Sequence, residues 1–99
     1  MVSLNQQLTP ILKGRTVNSA VQTDDLLVVT FTNGSTMKVK TGGPAPIAAL
    51  QGHTVKLVRQ GGVVMELAFS DNSKAQIKLA EETSSVMVRN ATGKFEYAD

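Results

Sequence analysis

A chain of 99 residues, 41% of them hydrophobic, suits one compact domain, since either half alone would bury too little apolar surface to fold. The absence of cysteine excludes disulfide staples, thiol catalysis and thiolate metal sites, and only Phe31, Phe69, Phe95 and Tyr97 are available for stacking bases. A formal net charge of +2 does not by itself point to nucleic acid, because dedicated binders concentrate more Lys and Arg on one face.

At the N-terminus, Ser3 is positioned to cap a short helix running to about residue 13, with Leu4, Leu8, Ile11 and Leu12 stacked on one face and Gly14 ending it. Pro10 removes a hydrogen bond from that stretch, so the alternative is a helix that begins only near Thr9. Residues 15–22 read as a strand, Thr23, Asp24 and Asp25 as a turn, and residues 26–32 as a second strand. Leu27, Val29 and Phe31 face the core, while Leu26, Val28 and Thr30 occupy a half-covered opposite face. Asn33-Gly34 predicts a two-residue hairpin with positive φ at both central positions. A third strand follows, with Met37 and Val39 inward and Lys38 and Lys40 outward, before a Gly- and Pro-rich connector over residues 41–46 and a helical turn over residues 47–50.

The chain then repeats itself. Residues 12–40 lie over residues 50–78 at a constant offset of 38 without a gap, with eight identical pairs that include Gly14 with Gly52, Phe31 with Phe69 and Ser35 with Ser73. In the second unit Gly61-Gly62 supplies the first turn and Asp71-Asn72 the second. Met65, Leu67, Phe69, Ala75, Ile77 and Leu79 face inward; Val64, Glu66 and Ala68 lie opposite, with Gln76 and Lys78 outward. Beyond a polar run over residues 80–85, a hairpin within residues 85–98 breaks the repeat and is placed to cover an exposed strand edge. The expected fold is mainly β, α+β at the margin: two units of a helical turn plus a three-strand meander, forming one domain over residues 1–99, a small antiparallel barrel or sandwich closed by the C-terminal hairpin. The opening from Leu12 through Gly14 and Val17 to Asn33-Gly34 resembles the start of the Sm-like RNA-binding fold over about a third of the chain. The glycine and acidic positions of that motif's next strands do not follow, so no family and no RNA-contacting residue is carried over.

No catalytic, cofactor or metal residue is singled out. His53, aligned with Arg15, has neither acid nor nucleophile beside it in sequence and reads as a surface histidine. Asp24, Asp25, Glu66 and Asp71 come from turns and one strand face and read as solvated rather than as a general acid and base. Gly42-Gly43 and Gly61-Gly62 lack the spacing of a phosphate loop, and the acceptor patterns Asn33-Gly34-Ser35 and Asn90-Ala91-Thr92 read as turns. The suggestive constellation is Lys38, Lys40, Lys74 and Lys78, which alternation puts on the outward face of the two third strands, an anion-facing stripe if those strands are neighbours. No run approaches the roughly 18 apolar residues of a membrane span, and no secretory signal opens the chain, so a soluble cytoplasmic protein is the expectation. The favoured function is a non-catalytic interaction or structural module with a protein partner, one that could associate with itself. The alternatives are a weak nucleic-acid or anion binder using the lysine stripe, and a small enzyme with a site between the repeat units.

Overall fold

Alternating burial organises the chain into strands. In the computed structural model, which describes residues 8–81 and 85–98, the order is α1 (Thr9–Leu12), β1 (Val17–Thr23), β2 (Leu26–Phe31), β3 (Thr36–Lys40), α2 (Ile47–Leu50), β4 (Val55–Gly61), β5 (Val64–Phe69), β6 (Lys74–Lys78), β7 (Val86–Arg89) and β8 (Phe95–Ala98). The first helix begins at Thr9 with Pro10 in its first turn, because the proline ring is tolerated only there; Ser3 and Leu4 lie outside the described residues. No helix among the described residues is long and apolar enough to cross a membrane.

Two antiparallel sheets result, one of five strands in the order β1-β2-β3-β7-β8 and one of three in the order β4-β5-β6. Their inward faces share one core, in which Phe31 and Phe69 are each 1% exposed. The registers match at the offset seen in sequence: Phe31 stands opposite Val17 and Phe69 opposite Val55, Ala20 opposite Val29 and Val58 opposite Leu67. An irregularity interrupts β1 between Val17 and Ser19 and β4 between Val55 and Leu57. Contacts between the two segments are reciprocal. Gly14 N–H donates to Val55 O and Gly52 N–H to Val17 O (2.8 and 2.9 Å), while the Thr16 and Thr54 hydroxyls share one hydrogen bond of 2.7 Å.

The sheets do not close into a barrel. They touch through the single bridges Thr16 with Thr54 and Thr41 with Leu79, and elsewhere helical turns sit where strand pairing would be needed. α1 lies against β4, and the Thr9 hydroxyl donates to Val58 O (2.8 Å) and accepts from Val58 N–H (3.0 Å). One side chain thereby satisfies two main-chain groups on an outer strand edge. The C-terminal hairpin does cover an edge: β7 pairs with β3, Val39 opposite Val86 and Met37 opposite Val88.

The two second turns differ from expectation. Each is a three-residue loop: Phe31 N–H donates to Ser35 O and Gly34 N–H to Phe31 O, and Phe69, Ser73 and Asn72 repeat the pattern. Only Gly34 (φ 88°) and Asn72 (φ 72°) are left-handed. Asn33 and Asp71 stay out of that region because their carboxamide and carboxylate oxygens accept from the Ser35 and Ser73 amides (2.9 and 3.0 Å), a local bond that fixes the loop. In the hairpin between β7 and β8, Asn90 Oδ1 likewise accepts from the Thr92 and Lys94 amides, both at 3.0 Å.

Candidate functional site

Strand alternation leaves the outward face of the five-stranded sheet with a cross-strand row in which Val21, Val28, Lys38, Met87 and Ala98 stand opposite one another in succession. The outward positions on either side of it bring Leu26 and Lys40 at one end, and Arg89 and Phe95 at the other. Val21 is 58% exposed and Phe95 59%, the latter with the Arg89 guanidinium 3.9 Å from its ring centre. Such a contact is a cation–π pair whose strength grows when water is excluded from it. In these strands the outward positions hold three cations, Lys38, Lys40 and Arg89, and the one carboxylate of the five strands, Glu96 at the register shift of β8, is held by Arg15; Asp24 and Asp25 sit beyond the strand ends, in the β1–β2 turn. A groove of ≈ 370 Å³ opens at one corner between Leu26, Lys38, Lys40, Met87 and Ala98.

At the equivalent row of the three-stranded sheet, Arg59, Glu66 and Gln76 stand opposite one another. Arg59 Nη2 lies 3.2 Å from Glu66 Oε1, and Gln76 Nε2 donates to Glu66 Oε2 at 3.3 Å. The charges of that row are met within the molecule. Its most exposed large apolar side chains, Val63 (37%) and Val64 (41%), stand at one end beside the β4–β5 turn, and Leu57 and Ala68 are half-buried.

The four lysines fall into two pairs. Lys38 and Lys40 are exposed on β3, Lys74 and Lys78 on β6, and β3 has β2 and β7 as its neighbours, so strand adjacency does not assemble a single stripe. At the bridge between Thr41 and Leu79 the ends of β3 and β6 do meet, and Lys40 and Lys78 each accept one amide from beyond the other's strand: Ala80 N–H to Lys40 O (2.9 Å) and Gly42 N–H to Lys78 O (2.8 Å).

His53 is less solitary than its sequence neighbours imply. Folding brings its Nδ1 to 2.9 Å from Asp71 Oδ2 and 3.4 Å from Ser73 Oγ, and its ring stacks on Phe69 at 5.0 Å. The Asp71 carboxyl is held below its ordinary value, first by the Ser73 hydroxyl, then by the Ser73 amide and more weakly by His53. Acid and hydroxyl both face the same imidazole nitrogen, whereas a relay needs them on opposite nitrogens. The trio therefore works as a clasp on the β5–β6 loop. At the matching place in the first segment, Arg15 donates to Ser35 Oγ (3.0 Å) and grips both oxygens of Glu96 (2.9 and 2.6 Å), which holds that carboxyl below its ordinary value.

The carboxylates considered for acid–base work are dispersed: Glu66 belongs to Arg59, Asp71 to the clasp, and Asp24 and Asp25 to the β1–β2 turn. That turn and the 41–46 connector border a hollow of ≈ 590 Å³. Gln22 spans it, donating to Thr41 Oγ1 (2.8 Å) and Gly43 O (3.0 Å) and accepting from Ala45 N–H (2.8 Å), so its amide is occupied in fixing the connector. Among the described residues no three His, Asp or Glu side chains are grouped so as to hold a metal ion. Comparison with protein families, with curated proteins and with solved structures finds no match for this chain.

Proposed function

We propose that the chain is a non-catalytic interaction module whose working surface is the outward face of the five-stranded sheet. One observation carries the reading: the row Val21, Val28, Lys38, Met87 and Ala98 is apolar around an unmatched cation, whereas the same row of the other sheet is satisfied by its own ion pair. An apolar surface rimmed by charge is the usual mark of a contact site. Its partner is a different protein. In a two-fold contact between copies the same patch meets itself, which would set Lys38, Lys40 and Arg89 against their own kind. We read residues 12–40 and 50–78 as two copies of one unit, the first diverged outward toward binding and the second toward a solvated face; the shared register and the reciprocal bonds at Gly14 and Gly52 support this.

Val28→Glu writes the second sheet's residue into the first. Immobilised wild-type protein should retain a protein from native-host extract that the Val28→Glu variant loses and a Glu66→Ala variant keeps, with amide-exchange protection in the complex falling on β2, β3 and β7. Retention unchanged by Val28→Glu, or protection on β5 instead, would remove this face as the working surface.

A further inference from the structure

We infer that the corner groove receives an extended acidic segment of the partner, one carrying carboxylates two residues apart flanked by apolar side chains; this rests on the reading of the face given above. Lys38 and Lys40 alternate on one side of β3, so their stems leave the sheet about 7 Å apart, twice the rise of one strand residue. Side chains two apart on an extended segment repeat at the same distance. A segment lying along β3 can therefore set one carboxylate against each ammonium without a change of register.

The surroundings favour that occupant over a plain polyanion. Leu26, Met87 and Ala98 line the groove beside the lysines, on the neighbouring strands, and only an occupant with apolar side chains beside its charges removes that surface from water. Phe95, the exposed ring on which a base would stack, already has one face occupied by the Arg89 guanidinium. Charge complementarity is one-sided. Among the described residues neither lysine has an ion-pair partner, while Arg59 on the other sheet has Glu66.

The probe is a fluorescein-labelled peptide in which threonine alternates with leucine, glutamate, glutamate and valine in turn, so that the last four share one face. At low salt it should bind roughly tenfold more tightly than the same peptide with glutamine for glutamate, as expected for two partly exposed ion pairs in a desolvated groove. That preference should vanish in a Lys38→Ala/Lys40→Ala variant, shrink in high salt, and survive Lys74→Ala/Lys78→Ala. Equal binding of the two peptides, no binding of either, or tighter binding of a single-stranded oligonucleotide through the same lysines would overturn the inference. If the extract partner still depends on Val28 while the lysine pair proves irrelevant, the acidic segment is wrong and the working face stands. If Val28 is irrelevant too, both fall.

Discussion

The segment 12–40 and the segment 50–78 agree on the inside and part company on the outside. Inward, Leu27, Val29 and Phe31 answer to Met65, Leu67 and Phe69, all buried to within 1% exposure, because a shared core tolerates changes of shape only where the total volume is kept. Outward, Val21, Val28 and Lys38 answer to Arg59, Glu66 and Gln76. The second set closes on itself through an ion pair and a hydrogen bond and needs nothing further. The first set does not. Cross-strand partners decide what a sheet face offers, and the comparison singles out the face whose charges its own row leaves unmatched.

The largest test of this comparison lies in the core. Truncating a buried phenylalanine costs about 3–5 kcal/mol, and because Phe31 and Phe69 stand in matching register with equal burial, Phe31→Ala and Phe69→Ala should cost the same to within about 1 kcal/mol. Urea unfolding of the two variants measures this. A gap of several kcal/mol would mean that one ring anchors the core and the other merely fills it, and the segments would no longer be equivalent inside.

Much of this inner agreement was legible in the sequence. A period of two distinguishes inward from outward residues wherever one face is buried, so the strands, the helical turn at Ile47–Leu50 and the capping hairpin follow from alternation and turn residues. The outward contrast was also present, as Val28 against Glu66 at the repeat offset. What the sequence withheld was adjacency between distant segments. Nothing in residues 86–98 announces that β7 pairs with β3 and so brings Met87 and Ala98 into the row beside Lys38. The barrel expectation failed for a similar reason, since the contact of Thr9 with Val58 joins residues 49 apart that carry no common pattern. The hairpin expectation failed locally: Asn33 is a residue that tolerates positive φ, but its side chain bonds to Ser35 and only Gly34 turns left-handed.

A middle-sized difference separates the two clasps. Arg15 and Glu96, with side chains 15% and 24% exposed, join the first segment to β8, whereas His53 and Asp71 only pin a loop of their own segment. Arg15→Ala should cost about 1 kcal/mol near neutral pH, a charge-assisted pair discounted for its exposure. The cost depends on pH with a definite sign. Since Arg15 holds the Glu96 carboxyl below its ordinary value of 4.5, the unfolded chain takes up that proton more readily than the folded one. The contribution is complete above pH 4.5 and fades as the pH falls through the lowered value, so wild type and Arg15→Ala should converge in acid. A cost that persists unchanged below that range would assign Arg15 a packing role instead of an electrostatic one.

The smallest test concerns the first turn of each segment, where different residues meet one backbone demand. Asp24 adopts φ 54° and Gly62 φ 58° at matching positions. Left-handed backbone is strained for most side chains, yet aspartate is enriched there because its short polar group can bond locally, while a β-branched residue crowds the carbonyl that follows. If the two turns are interchangeable, Gly62→Asp should cost a few tenths of a kcal/mol, about 0.5 at most, and Gly62→Val roughly 1–2 kcal/mol. Asp24→Gly should be close to neutral, since relief of strain in the folded turn is offset by the greater freedom of glycine in the unfolded chain. Thermal unfolding of the three variants resolves the order. Should Gly62→Asp prove as costly as Gly62→Val, the second turn requires glycine for a reason the first does not share, and the likeness of the two segments would stop at the strands.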